Sequence, residues 1–190
     1  MGEFELFFVL GYRHVLDVSA YDHVLFLSAM ALVYSFGQWS RLLGLVSLFT
    51  IGHTFSILAS YYDLINPPLQ IIEILIPVTI ILTALSNIYK GLYSKDKEYS
   101  ILIFAITLVF GLIHGFGFGR YFIQIAGEAS FNGFLAFALG IEGAQILIVL
   151  SILVLNYSRE NLISLSRKDW LILTSGIIIG ITLPMLLDRI

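Results

Sequence analysis

Apolar residues run along this chain in stretches of about twenty, broken by short clusters of glycine, proline and charge. That rhythm predicts helices long enough to cross about 30 Å of hydrocarbon. The punctuation sets spans near residues 21–36, 42–62, 69–89, 101–125, 133–157 and 170–187. Ahead of them, residues 4–16 are apolar but short for a crossing. They read as an interfacial or re-entrant helix, with a seventh crossing as the alternative. The expected fold class is all-α: a polytopic membrane helix bundle of about six transmembrane helices plus that short N-terminal helix, forming one transmembrane domain over residues 1–190.

Composition agrees with the pattern. Hydrophobic residues make up 58% of the chain and charged ones only 12%, with a mean hydropathy of +0.94, far from the soluble average of about 25% charged. The formal charge of −3 is small and scattered, which argues against nucleic acid as a partner and leaves the lipid bilayer as the expected surroundings. No cysteine is present, so disulfides, thiolate chemistry and soft metal sites are excluded, and imidazole and carboxylate remain as the strong ligands. The start, Met1-Gly2-Glu3-Phe4-Glu5, has no basic n-region, so the first apolar stretch is expected to be retained. No internal sequence repeat marks an inverted-repeat transporter fold.

Basic residues divide unevenly between the expected loops. Arg41, Lys90, Lys95, Lys97, Arg159, Arg167 and Lys168 fall on one side, and Arg13, Arg120 and Arg189 on the other. The positive-inside rule then puts the loops after the first, third and fifth spans in the cytoplasm and both termini outward, as in an integral protein of a bacterial inner membrane. Tyr61, Tyr62, Tyr89, Tyr93, Tyr157 and Trp170 sit near span ends, where aromatic belts form.

Chemistry concentrates in a few polar groups within apolar sequence, where an ionisable side chain costs about 2.5–3.5 kcal/mol at the bilayer centre and so marks a functional pathway by default. All four histidines lie in or beside the spans. His14 and Asp17 precede Asp22-His23 at the mouth of the first span, and a chain break near Val18 and Ser19 would fold His14 back toward the pair. The structural alternative is that Ser19-x-x-Asp22 is a capping box and Asp17 a cap. In the second span Thr50, His53, Thr54 and Ile57 follow i, i+3, i+4, i+7 spacing, a polar stripe that serves either a site or an interhelical hydrogen bond.

The third span carries Glu73, Pro77 and Asn87 on one face. Glu73, about one turn from Pro67-Pro68, is a ligand or a solvated interfacial group, Pro77 predicts a kink, and Asn87 reads as helix glue. Gly111, Gly115, Gly117 and Gly119 surround His114. The spacing Gly111-x-x-x-Gly115-x-x-x-Gly119 would let another helix pack against backbone, and glycine-rich chain can also unwind beside a cavity. In the fifth span Glu142, with Gln145 one turn on, is the deepest carboxylate and needs either a proton or a paired cation, for which a histidine-bound metal is the favoured partner.

The ordered set His14…Asp22-His23-Val-Leu-Phe, Phe49-Thr50-x-x-His53-Thr54, Glu73-x-x-Ile76, Phe110-Gly111-x-x-His114-Gly115-x-Gly117-Phe118 and Gly140-x-Glu142-x-x-Gln145 resembles the HupE/UreJ family over roughly residues 11–150. The resemblance implies a small polytopic membrane protein tied to nickel uptake for hydrogenase or urease, with the His and Asp-His positions handling metal. Two features depart from the hydrogenase-associated pattern. Seven residues rather than five separate His14 from Asp22, and Phe118 stands where a second histidine is typical. A divalent transition metal is therefore implied more firmly than nickel itself.

The leading expectation is a permease or accessory transporter whose His14, Asp22, His23, His53, His114 and Glu142 hold Ni²⁺, Co²⁺ or Zn²⁺, with Asp17, Thr50, Thr54, Glu73 and Gln145 supporting them. A homo-oligomer or a metal-delivery partner is compatible with that reading. No Gly-x-x-x-x-Gly-Lys-Ser/Thr motif occurs, so an ion gradient, membrane potential or partner must supply energy. The competing readings are an intramembrane zinc hydrolase with Glu142 or Asp22 as general base and a structural bundle without metal.

Overall fold

The computed structural model describes residues 2–93, 101–126, 129–163 and 165–190. Lys95 and Lys97, counted above toward orientation, lie outside the described residues. Helix α1 (Glu3–Val15) and α2 (Asp22–Ala31) are followed by a 3₁₀ turn (Phe36–Gln38), α3 (Trp39–Tyr61), α4 (Leu69–Tyr93), α5 (Ile101–Ala126), α6 (Phe131–Ser158), a π turn (Arg159–Ile163) and α7 (Arg167–Leu187). No strand occurs among the described residues. Five helices, α3 to α7, are each long and apolar enough to cross a membrane. Their outer faces carry exposed Ile51, Phe55, Leu82, Leu147, Leu150 and Ile177, while Thr50, His53, Gln145 and Ser175 are buried. A soluble fold has the opposite polarity, so the solvent this surface fits is lipid.

The first expected span is where sequence and structure part. Residues 21–36 do not form one helix: α2 stops at Ala31 after 10 residues, about 15 Å at 1.5 Å per residue. Helix α1 adds 13 residues and packs along its length on another helix. It runs alongside and parallel to the first half of α6: Gly133 meets Glu3 and Phe7, Gly11 meets Phe137 and Ile141, and Gly140 meets Phe8 and Tyr12. The end of α2 meets the other end of α6, where Asn156 Nδ2 donates to the carbonyls of Leu32 and Tyr34. Laid in series, α1 and α2 cover the same depth as α6, as one discontinuous element broken at residues 16–21. Arg13 consequently lies beside the break rather than in an end loop.

The short α2 ends where it does because distant side chains take its carbonyls. The last C=O groups of a helix have no partner within it. Here Asn87 Nδ2 donates to Ala29 O at 2.6 Å, and Arg167 Nη2 donates to Val33 O at 3.1 Å. Asn156 takes the two carbonyls already named and itself accepts from Trp170 Nε1 at 2.8 Å. Helix α3 starts earlier than expected, because Ser35 and Gln38 form a capping box on the turn before it.

Close packing fixes the rest. Helices α3 and α5 run parallel with backbones in contact. A Cβ on Gly111 would collide with Phe49 O, one on Gly115 with His53 O and Ser56 Oγ, and one on Gly52 would stand 2.5 Å from Leu108 O. This is the Gly-x-x-x-Gly reading, and α5 remains helical throughout Ile101–Ala126; the unwound-backbone alternative does not hold. Gly117 points elsewhere, toward Ile76 of α4. Helix α4 also stays continuous through Pro77. Proline has no N–H to give to the carbonyl four residues back, and Arg189 Nη1 donates to that carbonyl, Glu73 O, at 2.8 Å. Ser130 N–H donates to Glu3 Oε1 at 3.0 Å, so both ends of the chain lie at one end of the bundle.

Candidate functional site

The break between α1 and α2 delivers two histidines to the middle of the bundle from consecutive helix ends, and α3 and α5 deliver the others. His14 closes α1, Asp22 and His23 open α2, and His53 and His114 lie near the centres of α3 and α5. His23, His53 and His114 are all but inaccessible, while His14 is partly buried. Ring centroids of His14 and His23 are 4.7 Å apart, those of His14 and His53 5.6 Å, of His23 and His53 5.4 Å, and of His23 and His114 5.5 Å. One ring nitrogen from each of His14, His23 and His53 lies within 4.8 Å of the other two.

Hydrogen bonding assigns the ring nitrogens. Asp22 Oδ1 accepts from His23 N–H at 2.8 Å and from His23 Nδ1 at 3.0 Å. A carboxylate only accepts, so Nδ1 carries the proton, and in the neutral ring Nε2 keeps its lone pair. The carboxylate thus orients His23 in the way second-shell carboxylates orient metal-ligating imidazoles. His114 Nδ1 donates to Phe110 O at 2.9 Å, which likewise leaves its Nε2 a lone pair. His23 Nε2 faces His53 Nε2 at 3.4 Å. Buried and without a partner are His14 Nε2, His53 Nδ1 and His114 Nε2. Buried polar atoms ordinarily find partners, so the unpartnered Nε2 atoms of His14 and His114, beside the His23–His53 pair, are donor atoms open to a ligand.

The donor set fits a borderline transition metal. Four ligands at about 2.0–2.1 Å around a tetrahedral ion stand roughly 3.3–3.4 Å from one another, a spacing that the His23 Nε2 to His53 Nε2 separation of 3.4 Å matches. Neutral imidazole suits Ni²⁺, Co²⁺ and Zn²⁺ alike.

The remaining candidates fall in several places. Asp17 is exposed, and it accepts from Ser19 N–H at 2.8 Å in a local turn. The capping box expected of Ser19 and Asp22 does not form, since Asp22 is occupied by His23 and the α2 N-cap, Tyr21, makes no side-chain cap. Thr50 Oγ1 donates to Gln145 Oε1 at 2.8 Å, and Thr54 Oγ1 is buried without a partner. Glu73 lies near the start of α4 with its carbonyl taken by Arg189. Glu142 does not join the histidines either: its Oε1 accepts from Ser47 Oγ at 2.5 Å.

Two participants were not anticipated as such. Phe118, the position of the departure from the family pattern, packs against His14 in a tilted pair with ring centroids 3.6 Å apart and stacks on Phe137. Ser47 extends the α3 polar stripe one turn before Thr50; carrying the i, i+3 spacing backward would have found it.

A family model described as HupE / UreJ protein matches residues 1–187 of the 190-residue chain. No curated protein and no solved structure matches it.

Proposed function

Because the chain belongs to the HupE/UreJ family, we propose that it is a membrane permease or accessory transporter for a divalent transition metal, with nickel the favoured cargo. The observation that carries the reading is the clustering of His14, His23 and His53, one ring nitrogen of each within 4.8 Å of the other two, with His23 oriented by Asp22. His14, His23 and His53 bind the cation, Asp22 holds His23 and contributes negative charge, and His114 offers a further nitrogen. The positive-inside rule puts the end of the bundle bearing Arg41, Lys90, Arg159, Arg167 and Lys168 in the cytoplasm and both termini outside a bacterial inner membrane.

The hydrolase alternative needs a carboxylate free to act as general base on a metal-bound water. Asp22 is engaged by His23 and Glu142 by Ser47, which favours carriage over hydrolysis. Metal analysis of detergent-purified protein, with His53→Ala and His114→Ala as controls, followed by Ni²⁺, Co²⁺ and Zn²⁺ flux in proteoliposomes, tests the reading. Metal-dependent flux lost in His53→Ala is the expected result. Stoichiometric metal without flux overturns the permease, and no metal after reconstitution with each ion overturns any metal function.

A further inference from the structure

His23, His53 and His114 are closed off from solvent, so a cargo ion needs polar steps to exchange with them. The contact between α3 and α6 holds two. Ser47 and Thr50 are one turn apart on α3, as are Glu142 and Gln145 on α6, and the four pair in rungs: Ser47 Oγ donates to Glu142 Oε1 at 2.5 Å, and Thr50 Oγ1 donates to Gln145 Oε1 at 2.8 Å. The outer rung is partly open, with Glu142 and Ser47 half-buried, whereas Thr50 and Gln145 are closed off, Gln145 completely. One further turn along α3 lies His53.

The inner rung is chemically unsaturated. A hydroxyl has one proton, and Thr50 Oγ1 also lies 3.1 Å from Val46 O, so it serves one acceptor at a time. Gln145 Nε2 has no partner, nor do Thr54 Oγ1 and His53 Nδ1 on the same stretch of α3. Gln145 Nε2 in the rung and His53 Nδ1 one turn further along α3 are buried polar atoms without a partner, and with a carboxylate at the partly open end they suit a passing polar species.

We infer that Ser47, Glu142, Thr50 and Gln145 form an exchange track for the hydrated divalent cation, in which Glu142 is the outer step and not a ligand of the histidine cluster. The inference rests on the metal reading above. Glu142 attracts the cation and takes over part of its hydration shell. The Thr50–Gln145 rung then supplies hydroxyl and amide oxygens toward His53. Removing the track should slow exchange and leave occupancy at the histidines unchanged.

The test uses full-length protein in detergent, loaded with radiolabelled Ni²⁺ and chased with unlabelled Ni²⁺. Bound stoichiometry and release rate are both measured, and flux is not required. E142Q should bind the wild-type amount of Ni²⁺ and release it at least tenfold more slowly, and Gln145→Leu should behave in the same way. Ser47→Ala, which leaves the carboxylate in place, should slow release about threefold and serves if E142Q does not fold. Lower stoichiometry in E142Q would make Glu142 a ligand and overturn the inference. Unchanged release in E142Q and Gln145→Leu, or in Ser47→Ala where E142Q fails to fold, would also overturn it, with the metal site left standing. Wild-type protein that binds no Ni²⁺, Co²⁺ or Zn²⁺ would bring down the metal reading and the track together.

Discussion

His23 Nε2 and His53 Nε2 face each other at 3.4 Å across the contact between α2 and α3, and because Asp22 holds the proton on His23 Nδ1, the His23 side of that pair is a lone pair. The Nε2–H tautomer of His53 satisfies it with a hydrogen bond, and His53 Nδ1 is buried and unpartnered. A cation between the two nitrogens would replace that hydrogen bond with two ligand bonds.

Asp22→Asn keeps the side-chain volume and removes the charge, and because an amide can donate as well as accept, His23 Nδ1 keeps a neutral neighbour that no longer fixes its tautomer. Changing a second-shell partner typically costs 10–100-fold in metal affinity. Competition titration with a chelator should show Ni²⁺ affinity falling by that factor at unchanged stoichiometry, whereas His53→Ala should lose the site. Equal affinity in Asp22→Asn and wild type would show that the carboxylate does not act through His23.

The ring of Phe118 lies 3.6 Å from that of His14, so F118H would set another imidazole beside the cluster. An added histidine there should tighten Ni²⁺ binding about tenfold or more and slow its release, read in the same chelator titration and in stopped-flow release. Unchanged binding would mean that residue 118 faces His14 without reaching the ion.

The parallel contact of α3 and α5 predicts a sharp contrast among glycines. A methyl on Gly115 collides with His53 O and Ser56 Oγ, while one on Gly176 or Gly180 meets nothing within 4 Å. Gly115→Ala should destabilise the bundle by about 1–3 kcal/mol, as overpacking does, and displace His53. Gly176→Ala should be neutral or stabilise by up to about 1 kcal/mol through helix propensity. Thermal unfolding in detergent distinguishes them, and similar midpoints for the two variants would contradict the backbone contact.

Helix-length apolar runs made five of the helices legible in the sequence, and the Gly111, Gly115, Gly119 spacing showed that α5 packs closely on another helix without saying that it is α3. The first span was not legible, because what ends α2 is far away: apolar Leu32 and Val33 continue the run, yet their carbonyls go to Asn156 and Arg167. Gly11 and Gly140 pack α1 against α6 but lie on different helices, where no single-helix spacing signals them. The histidines could be named from sequence, and a break near Val18 was enough to suggest that His14 returns to His23. Glu142 shows the limit. Its position along α6 is readable, but its rotational phase, which turns it to Ser47, depends on how two helices cross.

Pro77 and Arg189 offer a final test, in which two residues far apart in sequence compete for one acceptor. Proline at residue 77 leaves Glu73 O without its intrahelical donor, and Arg189 Nη1 fills the vacancy at 2.8 Å. Arg189→Ala in the wild-type background therefore leaves that carbonyl unsatisfied and should cost about 1 kcal/mol, the usual net worth of a hydrogen bond. Pro77→Ala restores an N–H four residues along α4, so the same Arg189→Ala change made in that background should cost almost nothing. The pair forms a double-mutant cycle with a coupling of about 1 kcal/mol, read from thermal or denaturant unfolding. Additive effects would mean that Arg189 secures the C-terminus through some contact other than the carbonyl that Pro77 leaves open.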